Sequence, residues 1–371
     1  MNVIGIIAEY NPFHNGHLYQ IKKIKELYKD SLIIVVLNGN FTERGEVSII
    51  NKWDKTEIAL VNDVDLIVEL PLLYGINNAD LFSKGAIQIL NDLKINTLVF
   101  GSETDNINDF ITVAKTKIKN KEYDKLVKKY MDLGNSYPKS TGDAIKDLTQ
   151  IDISNPNDIL AVSYIEEILK NNYKINPVSI KRTNDYHLSI DSASKIRESI
   201  KNNEDIVKYL SIDTVKYLSE PVFIDNYFSL LKYKILSTDD LTIYHGIDEG
   251  IHNRIIKYIK ESSSLEELIQ KIKTKRYTYN RIKRTLLYIL LEIKKTDMNN
   301  ISNYIRPLGF NEKGLKYLNS IKKGLKLPLI SNFNKNKNLL SLEYKSNSIY
   351  ALAFNNPNYI IKLEFNKPIK K

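Results

Sequence analysis

The chain holds 371 residues, enough for roughly two to three domains of about 100 to 200 residues each. Apolar residues make up 43% and charged residues 26%, with 14 Gly and 10 Pro, a balance that excludes a disordered or collagen-like chain. The absence of cysteine removes disulfides, thiolate nucleophiles, iron–sulfur clusters and cysteine-based zinc sites. Lys and Arg outnumber Asp and Glu by 54 to 44, and the net charge of +10 points to a polyanionic partner such as nucleic acid, although a Lys-, Asn- and Ile-rich proteome would give the same excess.

No membrane helix is expected, because the longest apolar runs, 32–37 and 286–291, fall far short of the roughly 20 residues a span needs. The first residues carry no basic leader and reach Glu9 and Asn11 before an apolar signal core could form, which argues for the cytoplasm. In chain order the pattern predicts a strand over 3–8, a helix over 17–28, a strand over 32–37, a helix over 55–61 and a strand over 66–70. Unbroken Ile/Val/Leu runs of this kind belong to strands covered on both faces, as in a parallel sheet. A helix over 80–93 and a strand over 97–100 continue the sheet. Residues 106–148 have helical periodicity and a Lys-rich surface, and read as a helical insertion. A helix over 158–169, a strand over 176–180 and a helix opening at 192–197 return to α/β order. A domain boundary is expected near 205, dividing 1–205 from a mainly helical, basic 206–371.

The segment from Glu9 to His17 joins the first strand to the first helix. His14 and His17, three apart at a helix N-terminus, face the same way. Backbone N–H groups there already favour an anion, so two imidazoles beside them suit a polyphosphate. Gly16 lets the chain approach a ligand closely, Pro12 sets the turn, and both histidines are expected at an exposed helix start. A zinc site has no support, since there is no Cys and no HExxH helix.

His14-Asn15-Gly16-His17 after an apolar strand resembles the HxGH signature of the nucleotidyltransferase superfamily with the Rossmann-like HUP fold. Ser192-Ala193-Ser194-Lys195-Ile196-Arg197 matches that superfamily's second signature, SxSxIR. The stretches 38–46, 65–71, 79–86, 100–103, 134–138 and 156–160, and in the second half 249–254, 275–284 and 304–312, look like those of the bacterial tRNA(Met) cytidine acetate ligases. The resemblance covers nearly the whole chain. It implies an ATP-dependent ligase that forms acetyl-adenylate from acetate and ATP and acetylates N4 of the wobble cytidine, C34, of elongator tRNA(Met), with His14 and His17 catalytic. ATP would be held by Ile7, Ala8, Glu9, Tyr10, Asn11, Pro12, Phe13, His14, Asn15, Gly16, His17, Leu18, Tyr19 and Gln20. Further ATP contacts would come from Gly101, Asn157, Arg182, Ser192, Ser194 and Arg197. Magnesium would arrive with ATP on phosphate and water ligands, with no protein metal site.

Asn157 suits a base edge but also stands where a helix N-cap would. Arg182 can fork onto phosphate or make a surface ion pair. The sequence departs from the family around Thr183, Asn184 and Asp185, before Tyr186 and His187, and at Asp158, where a second Asn is common. Lys275, Arg276, Tyr277, Tyr279, Arg281, Lys283 and Arg284 interleave basic and aromatic residues as single-stranded RNA sites do, or form a solvated helix face with its tyrosines inward. Two rival functions stand beside the ligase: an adenylyltransferase acting on a small molecule, and a non-enzymatic RNA-binding protein.

Overall fold

A computed structural model describes residues 1–182, 191–299 and 301–371. Seven strands form one sheet in the order β5-β4-β1-β2-β3-β6-β7. Five come from the first half: β1 (Val3–Ala8), β2 (Leu32–Asn38), β3 (Leu66–Leu70), β4 (Thr97–Ser102) and β5 (Asn176–Lys181). All five run parallel. Every residue of β2 and β3 is buried, as expected of strands with helices on both faces. The expected α/β order is therefore present, and the architecture is a Rossmann-like sheet.

The helices of this half are α1 (Asn15–Leu27), α2 (Lys52–Val61), α3 (Leu72–Gly75), α4 (Ala79–Asp92), α5 (Ile107–Lys119), α6 (Lys121–Asp132), α7 (Tyr137–Thr149), α8 (Pro156–Lys170) and α9 (Ala193–Lys201). Caps move two starts upstream of the expected ones. His14 caps α1, and the Asn51 side chain accepts from the N–H groups of Trp53 and Asp54 to open α2. The segment read as an insertion is helical, and Phe110, Val113 and Ala114 of α5 share a core with α4, α8 and the sheet.

Beyond 205 the chain is mainly helical, with α10 (Ile212–Val215), α11 (Phe228–Ser237), α12 (Ile251–Ile259), α13 (Leu265–Ile272), α14 (Tyr279–Leu291), α15 (Glu312–Ile321), α16 (Ser341–Ala351) and α17 (Pro357–Lys362). Residues on both sides of the expected boundary near 205 contribute to the one sheet. β6 (Pro307–Phe310) pairs antiparallel with β3, and β7 (Ile369–Lys370) pairs with β6. One core runs continuously from β1, β2 and α2 into α11–α14 and Tyr350 of α16.

Buried charge seals this junction. Lys52 pairs with Glu69 at 2.6 Å and Glu364 at 2.5 Å, and Arg306 pairs with the same two carboxylates at 2.8 Å each. Two cations against two anions leave the cluster neutral, which is what makes its burial tolerable. Among the described residues no helix is long and apolar enough to cross a membrane.

Candidate active site

The candidate residues gather at the carboxyl ends of the parallel strands, where open α/β sheets bind ligands. β1 runs into a turn in which Tyr10 takes a left-handed φ of 47°. α1 then opens with an unusual cap. The Nδ1 of His14 accepts from the Gly16 N–H at 3.0 Å, and the Nδ1 of His17 accepts from the His14 N–H at 3.1 Å. Two imidazoles thus fill the reciprocal roles that a hydroxyl and a carboxylate fill in a capping box.

This cap settles the chemistry of both rings. An Nδ1 that accepts a hydrogen bond carries no proton, so each neutral ring holds its proton on Nε2 and presents a donor outward. Burial, reinforced by Arg182 and Arg197 and opposed by Asp191, lowers the pKa of His14 from 6.5 to about 3. Burial, His14 and Arg182 hold His17 well below the usual imidazole range. His14 is buried, not exposed as a helix start suggests. The ring centroids lie 3.9 Å apart, and Tyr10 packs edge-on against Phe13 and His17 at 4.9 and 4.8 Å.

The cavity before these rings has a volume of about 360 Å³. On one side it is lined by the ends of β4 and β5 and the start of α8. The Arg182 side chain lies over Gly101, where a Cβ would stand 3.2 Å from its Cγ. The N-cap of α8 is Asn155; Asn157 sits in the first turn, faces the cavity and donates to Glu103, which removes the cap reading. Asp158 is buried and accepts from the Ser102 hydroxyl at 2.6 Å and the Glu103 N–H at 3.0 Å, so the departure from the family pattern pins the turn after β4. Oε2 of Glu103 has no partner among the described residues.

The N-termini of α1 and α9 converge in the middle. Ser192 caps α9 by accepting from the Lys195 N–H at 3.3 Å. Arg197 reaches back to donate to the Asn11 carbonyl at 2.7 Å and the Ser194 hydroxyl at 3.3 Å, tying the two signature segments together. Ser192, Ser194 and Arg197 all line the cavity, as do Ile7, Ala8, Glu9, Tyr10, Asn11, Gly16, Tyr19 and Gln20. Four expected contacts do not: Pro12 and Phe13 are buried in the turn and core, Leu18 packs against the core, and Asn15 donates to the Lys208 carbonyl. Thr183, Asn184, Asp185, Tyr186 and His187 lie outside the described residues.

The far side is the loop between β2 and α2, which sequence reasoning missed. Thr42, Glu43, Arg44 and Glu46 line the cavity there. The signal was available: three charges in four residues stand at the carboxyl end of a buried parallel strand. α14 grips this loop. Arg284 meets Glu43 at 3.1 Å and Lys283 pairs with Glu46. Gly45 has a φ of +75° and lies so close to α14 that a Cβ would stand 2.6 Å from the Arg284 nitrogen.

The basic and tyrosine cluster is thereby divided. Lys283 and Arg284 are turned to the loop, the Tyr277 and Tyr279 hydroxyls donate to Asp248 and Glu266, and Arg281 stacks 4.2 Å over the Tyr277 ring. Lys275 and Arg276 remain exposed. Among the described residues no three acidic or imidazole groups converge as a metal site would require.

A parallel sheet with two helix N-termini and a histidine pair on one cavity defines a nucleotidyl transferase. The pattern of the HIGH Nucleotidyl Transferase family matches residues 1–363, and the chain belongs to that family. Within it, the chain is 41% identical to a tRNA(Met) cytidine acetate ligase of Caldicellulosiruptor saccharolyticus, over 98% of this chain and 97% of that protein. It is 34% identical to the one from Bacillus subtilis, over 96% and 94% respectively. The structure of Thermotoga maritima TmcAL bound with alpha-thio ATP superposes with a TM-score of 0.92 at 30% identity, covering 100% of this chain and 99% of that one. The chain is thus a member of the tRNA(Met) cytidine acetate ligases.

Proposed function

We propose that this enzyme condenses acetate with ATP to acetyl-adenylate and pyrophosphate, then transfers the acetyl group to N4 of the wobble cytidine, C34, of elongator tRNA(Met). The observation that carries the proposal is full-length likeness to enzymes named for this reaction, joined to a histidine pair and two helix N-termini on one cavity. Adenosine lies against Gly101, Asn157 and Arg182, with the free Glu103 oxygen accepting from a ribose hydroxyl. The triphosphate lies across the α1 and α9 N-termini.

An acetate oxygen attacks the α-phosphorus, and the bond to the α,β-bridging oxygen breaks with its electron pair leaving on pyrophosphate. His14 and His17 serve as neutral Nε2–H donors to the phosphoryl oxygens, fixed before substrate arrives, so no reorientation is needed as charge shifts. N4 of the cytosine then attacks the acetyl carbon and loses a proton, and AMP departs. Holding the splayed-out base beside a reagent already activated is the second task. ATP would bring magnesium with it, which would offset negative charge on the triphosphate. Lys275 and Arg276 supply phosphate contacts to the tRNA, and a tRNA substrate places the enzyme in the cytoplasm.

The test is incubation with ATP, labelled acetate and total tRNA. Label in N4-acetylcytidine of tRNA(Met) is expected. Label confined to a small molecule would make the protein an adenylyltransferase, and no incorporation would leave an RNA-binding protein.

A further inference from the structure

The loop after β2 carries an arginine that no carboxylate pairs directly among the described residues. Its two carboxylates are taken, Glu43 by Arg284 and Glu46 by Lys283. The neighbouring Glu9 carboxylate accepts from the Asn38 side chain at 3.0 Å and the Glu43 N–H at 2.8 Å. Arg44, between the two paired glutamates, is partly buried, faces the cavity and makes no side-chain hydrogen bond or ion pair among the described residues. A guanidinium withdrawn from water without an anion is costly, and the cost is relieved when a carboxylate or phosphate docks on its planar fork.

Position selects between those anions. The adenosine side of the cavity is built by β4, β5 and α8, and the triphosphate side by the two helix N-termini. Arg44 comes from the loop after β2, on the opposite side of β1 from β4 and β5, and lies within electrostatic reach of Arg197. A nucleophile that attacks the α-phosphorus while pyrophosphate leaves in line needs an anchor of its own, on lining that neither the adenosine nor the two helix N-termini occupy. We infer that Arg44 binds the carboxylate of acetate and aims one of its oxygens at the α-phosphorus. Once the carboxylate has become an acyl phosphate its charge is gone, and the guanidinium has less to hold, which favours the move from activation to transfer.

This assignment rests on the acetate chemistry proposed above. The experiment compares wild type, Arg44→Gln and Arg44→Lys in acetate-dependent exchange of labelled pyrophosphate into ATP, without tRNA. Arg44→Gln should raise the KM for acetate roughly ten- to hundredfold, the loss of a charge-assisted pair, with ATP affinity unchanged. Arg44→Lys should fall between. In a second arm, synthetic acetyl-adenylate is supplied with tRNA, and Arg44→Gln should acetylate at the wild-type rate because the carboxylate step is bypassed. The melting temperature of Arg44→Gln should match or exceed that of wild type, since no contact is lost.

An unchanged acetate KM overturns the assignment. So does an intact KM with failed transfer from acetyl-adenylate, which would give the guanidinium to an RNA phosphate, or weakened ATP binding, which would give it to the nucleotide. A lowered melting temperature would make Arg44 a structural contact. Wild-type protein without acetate-dependent exchange would instead remove the acetate chemistry itself, and the assignment with it.

Discussion

Acidification should cost this protein stability through His14, and the amount follows from its cap. The Nδ1 of His14 already faces the Gly16 N–H, so a proton added there would set donor against donor while leaving a buried cation beside Arg182 and Arg197. With the folded-state pKa lowered from 6.5 to about 3, the unfolded chain binds a proton below pH 6.5 that the folded chain refuses. Stability is therefore fully present above 6.5 and lost as pH falls toward 3. At pH 5 the penalty from His14 alone is about 2 kcal/mol, and His17 adds to it with the same sign. Urea titrations followed through Trp53, the sole tryptophan, can compare wild type with His14→Asn at pH 7.5 and 5. Asn keeps a side-chain acceptor at the N-cap and does not titrate. The wild type should lose about 2 kcal/mol more than the variant between the two pH values. Equal losses, or an imidazole resonance of His14 titrating near 6.5, would refute the cap-imposed neutrality.

Gly45→Ala should destabilise by about 1–3 kcal/mol and slow acetate-dependent pyrophosphate release, because both its φ of +75° and the 2.6 Å approach to α14 resist a side chain. Thermal melts and release kinetics would check this. Glu364→Ala leaves Lys52 and Arg306 short of an anion in the core and should cost about 3–5 kcal/mol by denaturant unfolding. Replacing Lys275 and Arg276 by Gln should reduce the salt slope of tRNA binding by up to about 0.7 for each lost contact while leaving pyrophosphate release intact. The same replacement at Lys283 should instead impair pyrophosphate release, since that amine serves Glu46 of the cavity loop.

The parallel strands were legible because burial on both faces writes itself as unbroken Ile, Val and Leu. The histidine pair was legible because its spacing matches a helix turn. Less visible was what depends on distant partners. Nothing local to 307–310 shows that these four residues close the sheet against β3, since an edge pairing is set by the element it meets. Lys283 and Arg284 looked like RNA ligands because their charge is written in the sequence, whereas Glu46 and Glu43 come from a loop in the other half of the chain. Asn157 looked like a cap because helix starts shift by a residue or two when Pro156 can occupy the first turn.

The antiparallel seam between β3 and β6 also sets a schedule for the chain's own making. β6 emerges about 240 residues after β3, and at a synthesis rate of about 5–20 residues per second the outer edge of β3 waits for roughly ten to fifty seconds. During that interval an apolar strand offers unpaired backbone to any neighbouring nascent chain, and Glu69 within it has met Lys52 but neither Arg306 nor Glu364. For most of that interval the cavity loop also lacks the grip of α14, which is made shortly before β6. The nascent protein is therefore both adhesive and catalytically incomplete until the last third of the chain has been made.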